Sequence, residues 1–133
     1  MKSLKKSYFI NAPPFKIWKG LTIPKEIEKW TGSPAVMDEK EGTNFKLWDG
    51  DIFGKNKEMI KNKKIVQEWY SGNWDKPSIV TILINSKDGK SEVELIHDDI
   101  PDNDFESINQ GWDDYYFNSL KEYLENPIMQ NPT

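Results

Sequence analysis

Hydrophobic and polar residues alternate weakly over residues 3–10, which predicts a first strand. Asn11-Ala12-Pro13-Pro14 ends it, and Phe15-Lys16-Ile17-Trp18-Lys19-Gly20-Leu21 predicts a short helix behind a proline that a helix N-terminus tolerates. Thr22 reads as the N-cap of a second helix with Pro24 in its first turn. There Ile23, Ile27 and Trp30 share a face, and Gly32 and Pro34 stop the helix. A run of strands follows. Asp49-Gly50 predicts a two-residue type I′ turn joining Asn44–Trp48 to Asp51–Ile60. Lys61-Asn62-Lys63 turns into Lys64–Tyr70, and Asp88-Gly89 joins Ser78–Asn85 to Lys90–Asp98. In this last pair Val80, Ile82 and Ile84 share one face, as do Val93, Leu95 and His97.

The final predicted element is the longest, a helix over Phe105–Glu125 with Asp104 as its N-cap. Trp112, Tyr116, Leu120 and Leu124 recur every four residues, and Phe117 and Tyr123 widen the stripe. A long helix with so broad an apolar stripe must lie across a curved sheet. The order of one strand, two short helices, about six further strands and a long helix is that of an α+β grip around an interior space.

Composition narrows the chemistry. The chain has 133 residues and no cysteine, which removes disulfides, thiolate nucleophiles and cysteine metal sites. All 18 basic residues are lysines, so no guanidinium fork is present to grip a phosphate or carboxylate in bidentate fashion. Net charge runs from +6 over residues 1–64 to −8 over residues 98–133. No apolar run approaches a membrane span, and the basic start is followed by too short an apolar stretch for a signal peptide. These features predict a soluble, cytoplasmic protein. Six Trp, six Phe and five Tyr carry much of the apolar volume of a chain whose mean hydropathy is only −0.78.

Four segments in order carry a resemblance: Leu21-Thr22-Ile23-Pro24-Lys25-Glu26-Ile27-Glu28-Lys29-Trp30, Phe45-Lys46-Leu47-Trp48-Asp49-Gly50-Asp51-Ile52-Phe53-Gly54, Ile65-Val66-Gln67-Glu68-Trp69, and Gly111-Trp112 with Tyr115-Tyr116-Phe117. Together they resemble the activator of heat-shock protein 90 ATPase homologue family over about residues 5–125. That family belongs to the START-like, or SRPBCC, helix-grip superfamily. The resemblance implies a START/Bet v 1-like fold, in which a curved antiparallel sheet of six to seven strands wraps round the C-terminal helix. The length suits one domain, over residues 1–126, and Pro127 and Pro132 bracket a polar stretch that reads as a flexible tail over 127–133. The eukaryotic co-chaperones of the family resemble this chain only in their C-terminal domain.

The functional expectation is a non-enzymatic binding protein with a chaperone-associated or stress-linked role and a heat-shock protein 90 homologue as partner. Its contact surface would use Lys55, Lys57, Lys61, Lys63 and Lys64 on the basic side. On the acidic side it would use Asp98, Asp99, Asp102, Asp104 and Glu106. The alternative is a carrier or sensor of a small apolar or aromatic molecule. Its cavity would be lined by Trp30, Met37, Phe45, Trp48, Trp69, Val80, Ile82, Val93, Leu95, His97, Trp112, Tyr116 and Leu120. An enzymatic reading would make His97 an acid or base, but no nucleophile, Gly-x-Ser-x-Gly elbow or metal set accompanies it. No catalytic residue, cofactor or metal is assigned. The acidic run 98–106 lacks the glycine and twelfth-position glutamate of a calcium loop. The lysine-rich hairpin has no RNA-binding signature, so neither nucleic acid nor a membrane is expected as a partner.

Overall fold

The computed structural model describes residues 1–126; the expected tail over 127–133 lies outside the described residues. Six strands form one antiparallel sheet: β1 (Lys2–Ile10), β2 (Asn44–Leu47), β3 (Ile52–Ile60), β4 (Lys64–Ser71), β5 (Ser78–Lys87) and β6 (Lys90–Ile100). Their spatial order is β1-β6-β5-β4-β3-β2, so the first strand closes the far edge beside the last. Helices α1 (Pro14–Thr22) and α2 (Pro24–Thr31) cover one end. The C-terminal helix crosses the concave face as α3 (Phe105–Gly111), a wider π segment (Trp112–Phe117) and α4 (Asn118–Glu125). This is the helix grip that the pattern and the resemblance implied, with six strands.

The π segment explains how a four-residue spacing stays buried. In an α-helix each step of four overshoots a full turn by about 40°, so four such residues drift off one face. The wider i→i+5 winding turns the face back. Trp112, Tyr116, Leu120 and Leu124 are all buried, together with Phe117 and Tyr123.

Inward positions of adjacent strands line up in rows. One row runs Leu4, His97, Val80, Gln67, Asn56 from β1 across to β3. Three of its five members are polar, and all five are buried. Beside this row, Leu95, Ile82 and Ile65 form the apolar floor, buried almost completely. At the β1 edge, Lys6 and Tyr8 bind the Asp113 carboxylate at 2.9 and 2.7 Å, and Tyr8 stacks on Phe117 with ring centroids 4.2 Å apart. Burial pushes the Asp113 carboxyl up, but its bonds to Tyr8 and Lys6 outweigh this and hold it below its ordinary value.

Local chemistry departs from the sequence expectations at four places. Thr22 ends α1, where its hydroxyl donates to the Trp18 carbonyl at 2.7 Å. Ile23 takes the N-cap position, because Pro24 forces the residue before it into extended backbone. Ile23 is therefore exposed, and the buried face of α2 is Ile27 and Trp30. Asp104 holds the expected N-cap position of the long helix, but its side chain makes no capping bond; its carboxylate accepts a hydrogen bond from the Trp74 indole at 2.7 Å instead. Asp49-Gly50 is not a two-residue turn, because Leu47 pairs with Ile52 and four residues lie between. Trp48, expected at the end of the strand, joins Asp49 in left-handed backbone. Finally, β6 runs on to Ile100, which places His97 within the strand instead of at its end.

Where β3 crosses β4, Gly54 faces Trp69. A Cβ built on Gly54 would overlap the Glu68 carbonyl oxygen, which is backbone and cannot turn aside. Gly54→Ala is expected to separate the two strands and lower stability by about 1–3 kcal/mol. Chemical denaturation of the two proteins reads this directly, and an unchanged midpoint would contradict the close approach.

Candidate functional site

The stacked indoles of Trp69 on β4 and Trp112 in the π segment, with ring centroids 4.6 Å apart, sit where the sheet and the helix diverge. Each spends its N–H beneath the stack. Trp112 donates to His97 Nδ1 at 2.9 Å. That bond makes Nδ1 an acceptor and places the ring proton on Nε2, which donates to the Ser78 hydroxyl at 2.7 Å. Ser78 in turn donates to the Trp69 carbonyl at 3.1 Å. From the other side, Trp69 Nε1 donates to Gln67 Oε1 at 2.9 Å, and Gln67 Nε2 to Asn56 Oδ1 at 2.9 Å. Asn56 Nδ2 closes the chain on the Asp38 carbonyl and the Thr43 hydroxyl.

This buried chain of hydrogen bonds ties the C-terminal helix to the loop before β2. Every member has a partner, as a buried polar network requires. Both ring nitrogens of His97 are engaged in this chain, and the side chain is fully buried. Burial lowers its pKa from the ordinary value to about 3, which keeps it neutral at physiological pH.

Above the stack lies a cleft of about 430 Å³. Trp48, Trp69, Trp112, Tyr115 and Tyr116 wall it. Asp51, Ile52, Ser71, Ser107, Ile108 and Gly111 complete it. Trp48 stands 6.1 Å from the Tyr116 ring, and Trp30 braces Tyr116 from behind at 5.0 Å. Burial pushes the Tyr116 hydroxyl pKa up, so the group is a neutral donor. Among the described residues no group of three His, Cys, Asp or Glu is placed to hold a metal.

Of the thirteen cavity residues expected from the sequence, Trp48, Trp69, Trp112 and Tyr116 line this cleft. The other nine do not. Trp30, Met37, Phe45, Val80, Ile82, Val93, Leu95, His97 and Leu120 fill the space between sheet and helix as packed core. These nine close the grip along their part of the sheet, and the cleft opens beside Trp69 and Trp112. Alternation placed those nine on the inner face correctly, but inner-face position alone cannot distinguish lining from filling. Ser71 and Gly111 were missed although simple offsets reach them: Ser71 lies two residues beyond Trp69 on the same strand face, and Gly111 four before Tyr115 on the helix. Gln67 was missed too, although it alternates with the inward Ile65 and Trp69.

The charged residues fall into separate regions. Lys55, Lys57, Lys61 and Lys63 are exposed around the β3–β4 hairpin, while Lys64 is half-buried and paired with Glu58 at 3.4 Å. Asp98, Asp99, Asp102, Asp104 and Glu106 lie at the end of β6 and the start of the long helix. Asp102 pairs with the chain's terminal amine at 2.9 Å, a bond that lowers its pKa. On the outer face the two groups are bridged by one cross-strand row, Lys55, Glu68, Ile79 and Asp98, across four strands.

The family described as Activator of Hsp90 ATPase homolog 1-like protein matches residues 11–125. Among curated relatives, the Dictyostelium discoideum "Activator of 90 kDa heat shock protein ATPase homolog" is 34% identical over 115 residues, covering 84% of this chain and 30% of that protein. The mouse "Activator of 90 kDa heat shock protein ATPase homolog 2" is 28% identical over 112 residues, covering 83% of this chain and 34% of that protein. The chain thus spans about a third of the length of the curated relatives it matches. The crystal structure of PFC0360w, described as an HSP90 activator from Plasmodium falciparum, superimposes with a TM-score of 0.88 at 26% identity. It covers 94% of this chain and 97% of its own.

Proposed function

The chain belongs to the family of Activator of Hsp90 ATPase homolog 1-like proteins, and from that membership we propose that it binds a chaperone of the heat-shock protein 90 class and modulates its ATPase cycle. The observation that carries this reading is the end-to-end match, in fold and length, to a protein described as an HSP90 activator. The stretch matched in the curated relatives is 34% of the mouse protein and 30% of the Dictyostelium one, so what their whole chains do comes to this chain as a proposal.

The exposed lysines Lys55, Lys57, Lys61 and Lys63 are the leading contact surface, with the acidic segment Asp98–Glu106 as the second. Long, solvated side chains of one sign steer encounter with a partner of opposite charge and set the salt dependence of binding. The engaged carboxylates of Asp102 and Asp104 make the acidic segment less available than its charge count suggests.

The test is an amide NMR titration of the labelled protein with the heat-shock protein 90 homologue of the same organism, nucleotide present. Shifts should gather on residues 55–64 or 98–106. The double substitution Lys61→Glu with Lys63→Glu should weaken binding by about tenfold and flatten its salt dependence. A spectrum unchanged at high partner concentration would overturn the reading.

A further inference from the structure

The cleft has a chemistry of its own, distinct from that of the charged surfaces. Its walls present five aromatic rings. The N–H groups of Trp69 and Trp112 are committed to Gln67 and His97, and the two stacked indoles are nearly buried, so they form the floor of the cleft and offer no donor, while Trp48 and the exposed Tyr115 carry its open ring surface. The sole charged residue lining it is the carboxylate of Asp51, which has no ion-pair partner among the described residues. No lysine lines it, in a chain with 18 of them. Tyr116 is only 4% exposed, and its hydroxyl has no hydrogen-bond partner among the described residues.

Aromatic faces carry negative quadrupolar charge and attract a cation held over the ring, most strongly where water is excluded. A carboxylate at the rim adds to that attraction. The same two features disfavour an anion. They also disfavour a purely apolar guest, which would strip water from Asp51 and return nothing for it. A space of about 430 Å³ suits a small molecule and no large one. We propose that the cleft is a binding site for a small organic ammonium ion, held by cation–π contact with Trp48 and Tyr115 over the floor of Trp69 and Trp112, and by Asp51 at the rim.

The probe is choline, and its control is 3,3-dimethyl-1-butanol, the same shape with carbon in place of the charged nitrogen. Indole N–H signals of Trp69 and Trp112, followed with sodium chloride held constant, report occupancy. Saturable shifts are expected with choline, and binding about tenfold weaker with the neutral isostere. Asp51→Asn, at an exposed position, should weaken choline binding several-fold and leave the rest of the spectrum in place. Trp48→Leu should weaken it further. Equal binding of the isostere would overturn the proposal in favour of an apolar pocket. So would choline shifts that never saturate, or that Asp51→Asn leaves untouched. The chaperone titration reads different signals, from residues 55–64 or 98–106, so either reading can fail without the other.

Discussion

Trp112→Ala is expected to lower the free energy of unfolding by about 3–5 kcal/mol, the usual cost of emptying a buried tryptophan site. Two separate losses add. The ring is 2% exposed and packs against Trp69, Tyr116 and Phe117, so its removal leaves a void that rigid neighbours on two elements cannot collapse to fill. Its N–H is also the donor to His97 Nδ1, and without it a buried acceptor stands unpaired. Trp112→Phe separates the two. It retains most of the burial and removes only the donor, and about 1–3 kcal/mol should go, the cost of orphaning a buried polar group. Urea unfolding with an unchanged slope measures both. If Trp112→Phe cost as little as a surface substitution, the hydrogen bond would not hold the helix as described; if Trp112→Ala did, the stack itself would be in error.

The same tryptophan shows what the sequence could and could not reveal. Its burial follows from a stripe of apolar residues recurring along one helix, and the rows of β5 and β6 follow as directly from strict alternation. There the Asp88-Gly89 turn forms as expected, both residues in left-handed backbone and Lys87 paired with Lys90. The identical dipeptide at Asp49-Gly50 behaves differently. With Leu47 already paired to Ile52, Trp48 leaves the ladder and delivers its ring to the cleft. A dipeptide signals the turn but not how many residues the turn takes.

The partners of His97 were beyond reach for another reason. Ser78, Trp69 and Trp112 come from three elements that only the packed fold brings together, and no local pattern encodes that meeting. Asn56 was hidden by the irregular pairing between Asn56 and Glu58, which breaks the period that would have marked it as inward. The cleft itself is a remainder. It exists because the large side chains between sheet and helix fill the grip up to Trp69 and Trp112 and no further.

Acid should destabilise the protein earlier than its carboxylates alone would, because of His97. In the unfolded chain this imidazole takes up a proton near its ordinary value of about 6.5. In the folded chain it resists until about 3, because the charged form would be buried with no water and no counter-charge among its contacts. Protonating Nδ1 would also set two protons against each other along the Trp112 bond. Below about 6.5 the unfolded state therefore binds more protons, and stability falls as pH falls. By linkage the loss is about 2 kcal/mol between pH 7 and pH 5, and it grows until about pH 3, where the folded state binds the proton too. The interval from pH 7 to 5 isolates the histidine. Asp113 and Glu125, whose pKa values lie below the ordinary, give up their share only at lower pH. Urea midpoints at pH 7 and 5 should differ by that amount in the natural chain and very little in His97→Gln, which retains a donor and an acceptor but no titrating group. The carbon-bound protons of His97 should show no titration across the same interval. A histidine that titrated near 6.5 in the folded protein, or a stability flat from pH 7 to 5, would mean that the chain from Trp112 to Ser78 is open to water.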